Sequence, residues 1–182
     1  MDQALSAGVR FFQYRDKTGS RRSIYETCMR LATIARNRGA VFIVNDHPDI
    51  AVAVDAAGVH LGQDDLPIET ARKIMGADAI IGISTHSSEE AKVAEQAGAD
   101  YIGFGPVYRT LTKDVGKIQG VEALRRIKRT VSIPVIAIGG INHENCRLAM
   151  EAGADGVAVI SAILGANNPA DAARRMIERV SI

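Results

Sequence analysis

The chain has 182 residues, a formal net charge of +1, 47% hydrophobic content and two cysteines. That balance gives no basic patch for nucleic acid, no long apolar segment for a membrane and no cysteine spacing suited to a metal. Neither nucleic-acid nor membrane binding is expected, and with no signal peptide in view the expected compartment is the cytoplasm.

The chain opens on Met1 to Gly8, which reads as the end of a helix. A first apolar run follows over 9–12, and six more lie at 41–44, 58–61, 80–83, 101–104, 135–138 and 156–160. These runs are continuous rather than alternating, as strands buried on both faces of a parallel sheet are. An Ala-Gly phrase precedes four of them, at Ala7-Gly8, Ala57-Gly58, Ala97-Gly98 and Ala152-Gly153. A small residue and glycine ending a helix, followed at once by an apolar strand, mark the junction of a strand–helix repeat. Helical stripes fall between the runs: Ile24, Cys28, Leu31 and Ala35, then Val121, Leu124 and Ile127, then Ala172, Ala173, Met176, Ile177 and Val180. Ser87-Ser88 before two glutamates and Asn168-Pro169 are helix-start signals. Cys28 on its stripe and Cys146 near a helix start read as buried or incidental thiols. With no composition shift or linker, residues 1–182 form one expected domain.

Such repeats build either an open doubly wound sheet or a closed (β/α)8 TIM-type barrel. The open sheet ordinarily carries a glycine-rich turn after its first strand, which this chain lacks. Gly139-Gly140 after one late strand and Ser161-Ala162 after the next stand instead where barrels place phosphate. The expected fold is therefore an α/β barrel with its first strand missing from the chain, which is short beside the roughly 200 residues at the low end for that fold. A late start, a partner segment filling the gap, or a tolerated slot all account for this. Seven strands with an exposed edge favour a homo-oligomer.

In a barrel the chemistry sits on the loops after the strands. After the first run, Gln13, Arg15 and Lys17 occupy alternate positions and so one face of an extended segment. A guanidinium fork and an ammonium aimed at the mouth suit a phosphate or diphosphate, and glutamine can read a heterocycle edge. The alternative is a solvated charged loop. Asn45-Asp46-His47 and Gly62-Gln63-Asp64-Asp65 end the next two runs, and two carboxylates facing those cations suit Mg²⁺ with diphosphate supplying the remaining oxygens. Asp64 also reads as a helix N-terminal charge. His60, inside its strand, is either a satisfied core residue or an acid–base group, and His86 beside Ser84 is similarly open. His47 and His143 read as loop or cap residues. Gly105 through Lys113 is long enough for a lid whose hydroxyls and ammonium would hold phosphate, or is simply a turn-rich loop. Gly139-Gly140 and Ile160-Ser161 offer backbone amides to a phosphate group. No nucleophile, Schiff-base lysine or acid–base pair stands out, so chemistry by binding and ionising a leaving group is expected.

Gln13-x-Arg15-x-Lys17, Asn45-Asp46, Gly58 through Asp65, Gly105-Pro106-Val107-Tyr108 through Thr110-x-Thr112-Lys113, and Ile138-Gly139-Gly140-Ile141 together resemble the thiamine-phosphate synthase family. The match runs in order over nearly the whole chain. The resemblance implies joining of a hydroxymethylpyrimidine diphosphate to a hydroxyethylthiazole phosphate, the diphosphate leaving first and the thiazole nitrogen capturing the cation. It implies that Gln13, Arg15 and Lys17 hold the pyrimidine and its diphosphate, with Asn45, Ser84 and Lys113 beside them and Arg15, Lys17 and Lys113 as the catalytic cations. Asp46 and Asp65 would bind Mg²⁺, and Thr110, Thr112, Gly140, Ile160 and Ser161 would hold the thiazole phosphate. Arg109 departs from the family pattern, standing where proline is usual. The related thiazole tautomerase shares the fold but is expected to lack the full diphosphate and metal set. A non-catalytic phosphate-binding protein is the alternative of a different class.

Overall fold

The computed structural model describes residues 1–110 and 118–181. Seven parallel strands, β1 (Phe11–Tyr14), β2 (Val41–Asn45), β3 (Gly58–Leu61), β4 (Ile80–Thr85), β5 (Tyr101–Phe104), β6 (Val135–Ile138) and β7 (Gly156–Ala158), pair in chain order in one sheet. Helix α1 (Asp2–Ala7) precedes β1, and α2 (Arg21–Asn37), α3 (Pro48–Ala53), α4 (Ile68–Met75), α5 (Ser88–Gln96), α6 (Val121–Lys128) and α7 (Cys146–Glu151) each connect one strand to the next. The short α8 (Ser161–Leu164) and α9 (Pro169–Val180) follow β7.

The sheet curls. In a flat sheet β1 and β5 would lie roughly 19 Å apart, four strand spacings. Instead, the rings of Phe11 and Tyr101 meet edge to face with centroids 5.7 Å apart. Helix α1 packs against α9, bringing the two ends of the helical layer together, while among the described residues no ladder joins β7 to β1. This is the expected TIM-like barrel, open between its first and last visible strands.

The core lies between sheet and helices. Val44, Val59, Ile81, Ile102, Phe104 and Val135 meet Ile24, Cys28, Ala32 and Ala35 of α2, Leu124 and Ile127 of α6, and Met176 of α9. Ala32 rather than Leu31 takes the buried place on the α2 stripe, Leu31 lying at its margin. Both cysteines are buried and free, and burial pushes the Cys28 thiol up to about 11. The two predicted helix starts are real caps: Ser87 Oγ accepts from Glu90 N, and the Asn168 side chain accepts from Asp171 N. No described helix is long and apolar enough to cross a membrane.

Three readings change. Gly8, Gly98 and Gly153 are helix stops in the left-handed region, with φ of 109°, 86° and 97°. Gly58 instead opens β3, where a Cβ would collide with the Ile80 carbonyl, so strand contact rather than helix termination demands glycine there. The first strand begins at Phe11, not Val9, because Val9 N still closes the helix end on Ala4 O and Arg10 Nη1 bonds Leu5 O. Gln13 therefore lies in β1 rather than after it, Ser84 lies inside β4, and Val159-Ile160 leave the sheet to start α8. Burial alternates along β1 and β6, contrary to the continuous-run expectation, because their inward faces look onto the open interior.

Candidate active site

Strand register decides which side chains share the interior. Gln13 pairs with Ile43, Asn45 with His60, His60 with Gly82, Gly82 with Tyr101, and Ser84 with Gly103. Neighbouring partners in a parallel sheet face the same side, so Gln13, Asn45, His60, Ser84 and Tyr101 all point inward.

A charged group forms where β1, β2 and β3 end. Asp16 shapes the loop after β1: its Oδ1 accepts from the amides of Thr18 and Gly19 at 2.9 Å each, and those two amides hold its carboxyl below the usual range. That turn places Lys17 in an ion pair with Asp46. Asp46 stands at φ 65°, a left-handed conformation that aspartate tolerates better than most residues, and its N–H bonds His60 O at 2.8 Å. Burial raises the Asp46 carboxyl, but the Lys17 ammonium, a hydrogen bond from Asp65 and the Arg15 charge outweigh it and hold the pKa low. Asp65 moves the other way, raised by burial and by the neighbouring Asp46 carboxylate, while Gly62 N bonds its Oδ2 at 2.6 Å. Arg15, Lys17, Asp46 and Asp65 are thus one electrostatic unit built from three successive strand ends.

Deeper in the interior lies a chain of polar side chains. His60 and Tyr101 are buried, with 6% and 8% exposed. His60 Nδ1 lies 2.9 Å from Tyr101 Oη and His60 Nε2 lies 2.9 Å from Ser84 Oγ. Burial pushes the Tyr101 phenol well above its ordinary pKa. Two glycines make room for the rings. A Cβ at Gly82 would overlap the Tyr101 ring, and one at Gly103 would lie 3.2 Å from His60 Cε1.

The third group spans the ends of β5, β6 and β7. Val107 N donates to Ile138 O at 2.9 Å and Tyr108 N to Gly139 O at 3.0 Å, lacing the segment after β5 onto the turn after β6. Gly139 and Gly140 have φ of 84° and 67°, and a Cβ on Gly140 would run into the Tyr108 carbonyl at 2.8 Å. Asn145 Nδ2 donates to Gly140 O at 3.0 Å and Tyr108 Oη to Asn145 O at 3.3 Å, so this turn is braced from both sides. Ile160 caps the four-residue α8 and Ser161 is its first residue. Thr110 and Arg109 stand at the edge of the described chain, while Thr112 and Lys113 lie outside the described residues.

The sequence reading missed Tyr101 and Asn145, and left His60 open. Glycines interrupting two adjacent apolar strands, Gly82 and Gly103, were the available signal that ring side chains pack across them.

Residues 1–163 match the family model described as thiamine monophosphate synthase. The chain belongs to that family. It is 46% identical to a thiamine-phosphate synthase from Natronomonas pharaonis, over 99% of this chain and 86% of that protein. It is 47% identical to one from Shouchella clausii, over 97% of this chain and 85% of that protein. The solved thiamine phosphate pyrophosphorylase from Pyrococcus furiosus superposes with a TM-score of 0.91 at 44% identity, covering 98% of this chain and 86% of that one. A 3-hexulose-6-phosphate synthase at 15% identity and a TM-score of 0.71 shares the fold alone. Members of the synthase family are transferases, and this chain is an enzyme of that class.

Proposed function

We propose that the enzyme joins 4-amino-2-methyl-5-hydroxymethylpyrimidine diphosphate to 4-methyl-5-(2-hydroxyethyl)thiazole phosphate, giving thiamine phosphate and pyrophosphate. The single observation that carries this is the unit Arg15–Lys17–Asp46–Asp65, which concentrates two cations and two carboxylates at adjacent strand ends beside the polar chain of the interior. In the proposed reaction the bond between the methylene carbon and the diphosphate oxygen breaks, and the electron pair leaves with pyrophosphate. The thiazole nitrogen then donates its lone pair to the methylene carbon, and the positive charge ends on the thiazolium ring. Such a dissociative step asks for no nucleophile from the protein. It asks for stabilisation of the departing negative charge, which Arg15 and Lys17 are placed to supply.

Mg²⁺ fits the carboxylates. Asp46 and Asp65 shift each other's carboxyl pKa, and among the described residues no third acidic, histidine or cysteine side chain completes a cage. A site of two carboxylates with the remaining oxygens from substrate phosphate and water is the ordinary manner of holding this ion. When bound there it would neutralise charge on the departing diphosphate. Asn45 and Lys113 would add diphosphate contacts, and Thr110, Thr112, Gly140, Ile160 and Ser161 would hold the thiazole phosphate.

Pyrophosphate release by the purified chain tests the reading. Release that requires both precursors and Mg²⁺ is expected, and a folded chain that releases none with both precursors present would refute it.

A further inference from the structure

Three successive carbonyls at the end of β6 are each taken by a donor from outside the strand. Val107 N bonds Ile138 O at 2.9 Å, Tyr108 N bonds Gly139 O at 3.0 Å, and Asn145 Nδ2 bonds Gly140 O at 3.0 Å. The first two donors are main-chain amides, which a substitution leaves in place. The third is a side chain, so Asn145 is the member of the set that sequence can change.

Gly139 and Gly140 have no side chains to fix the turn, so these bonds set the orientation of its peptide units. The Gly139 carbonyl shares a unit with the Gly140 N–H, and the Gly140 carbonyl shares one with the Ile141 N–H; both units are trans. A trans unit points its N–H opposite to its C=O. With each carbonyl tied back, each N–H faces the other way, and among the described residues neither has a hydrogen-bond partner. For Gly140 that direction is away from β5 and toward β7, whose end carries Ile160 and Ser161.

Asn145 is itself held in one orientation. Its Oδ1 accepts from Asn142 N at 2.9 Å, its N–H donates to Asn142 Oδ1 at 3.2 Å, and its carbonyl accepts from Tyr108 Oη at 3.3 Å. Turning the amide over would set Nδ2 against the Asn142 N–H and Oδ1 against the Gly140 carbonyl, donor against donor and acceptor against acceptor. Burial raises the Tyr108 phenol, so its hydroxyl keeps the proton it donates.

We propose that Asn145 is a positioning residue for the phosphate of the thiazole substrate, holding the turn so that the Gly140 and Ile141 amides face that phosphate, with Tyr108 as the anchor that holds Asn145. The inference rests on the function proposed above and extends it to a residue that acts through the turn rather than on a substrate.

Asn145→Asp keeps the acceptor for Asn142 N and puts an oxygen where the donor to Gly140 was. It is expected to raise KM for the thiazole phosphate about tenfold or more while KM for the pyrimidine diphosphate stays within about twofold of wild type. Asn145→Ala, which adds no charge, should show the same selective rise, and Tyr108→Phe, which keeps the ring and the fold, a rise of about threefold. Equal rises in both KM values, or none, overturn the proposal. A second readout needs no turnover: titration of the wild-type protein with inorganic phosphate should move the ¹H–¹⁵N signals of Gly140 and Ile141, and Asn145→Ala should need about tenfold more phosphate for the same shift. Signals that ignore phosphate in wild type, or that respond alike in the variant, overturn the positioning role. A wild-type protein that releases no pyrophosphate yet gives the expected titrations would sink the functional reading and leave the role of Asn145 supported.

Discussion

Replacing Asp155 by alanine should cost about 2 kcal/mol of stability, and the structure shows where that figure comes from. Asp155 closes the Ala-Gly-Ala-Asp phrase before β7, and its Oδ2 accepts from Val135 N at 2.7 Å and from Lys128 Nζ at 2.7 Å. Val135 is fully buried at the start of β6, so alanine leaves its N–H without that partner, at about 1–3 kcal/mol. The Lys128 pair is partly exposed and adds no more than about 0.5 kcal/mol. For a domain of this size the expected fall in Tm is about 4–8 °C. Asparagine keeps an acceptor oxygen for Val135 N, so Asp155→Asn should lose about half as much or less. The carboxyl of Asp155 is raised by burial, but Lys128 and the Val135 amide outweigh this and hold it below the ordinary range. A carboxylate favoured in the folded state stabilises above its unfolded pKa and stops doing so as pH falls through the folded one. The margin of wild type over Asp155→Asn should therefore shrink below about pH 4. Urea denaturation of the three proteins at pH 7 and pH 3.5 is the assay. Asp155→Ala within about 0.5 kcal/mol of wild type at pH 7 would refute the reasoning. The same device recurs two repeats earlier, where Asp100 Oδ2 accepts from Ile81 N at 2.7 Å and from Arg72 at 2.6 Å, so Asp100→Ala should behave alike.

Arg15→Ala and Asp46→Asn should each lower kcat/KM by about 10²–10³-fold in pyrophosphate release while leaving Tm within a few degrees; asparagine is the better substitute at Asp46 because it too tolerates a positive φ. Full turnover in both variants would remove the diphosphate site proposed here. Ser161→Ala should change KM for the thiazole phosphate less than about threefold, since its backbone amide is the proposed contact; a large rise would give the hydroxyl a role of its own.

The repeat was legible because four of its junctions write themselves twice, in a glycine that a left-handed helix stop or a close strand approach requires and in the apolar run that follows. Gly58 shows the limit: a glycine forced by the Ile80 carbonyl of the neighbouring strand is indistinguishable in sequence from one forced by φ. The charged unit was legible as well, since Arg15, Lys17, Asp46 and Asp65 fall at strand ends whatever the detailed register. The polar chain was not, because the bond from His60 to Tyr101 crosses 41 positions and depends on registers fixed by pairing. The two aspartates of the Ala-Gly-Ala-Asp phrases were visible but mute, as their partners Ile81 and Val135 lie on other strands.

Strand order also separates the tasks that the dissociative transfer proposed above would have to keep apart. Charge of both signs gathers at β1 to β3, hydrogen-bonded hydroxyls and an imidazole join β3 to β4 and β5, and the braced glycine turn closes β6. A diphosphate held by the first group and a phosphate held by the last would place their organic parts toward each other across the interior, over the buried chain. In the proposed reaction the cation would form over Tyr101, His60 and Ser84, whose hydroxyls and imidazole nitrogens are hydrogen-bonded to one another. With those groups bonded to one another, the incoming ring nitrogen would be the available nucleophile in the proposed reaction, and the same bonds would protect the cation from capture by the protein.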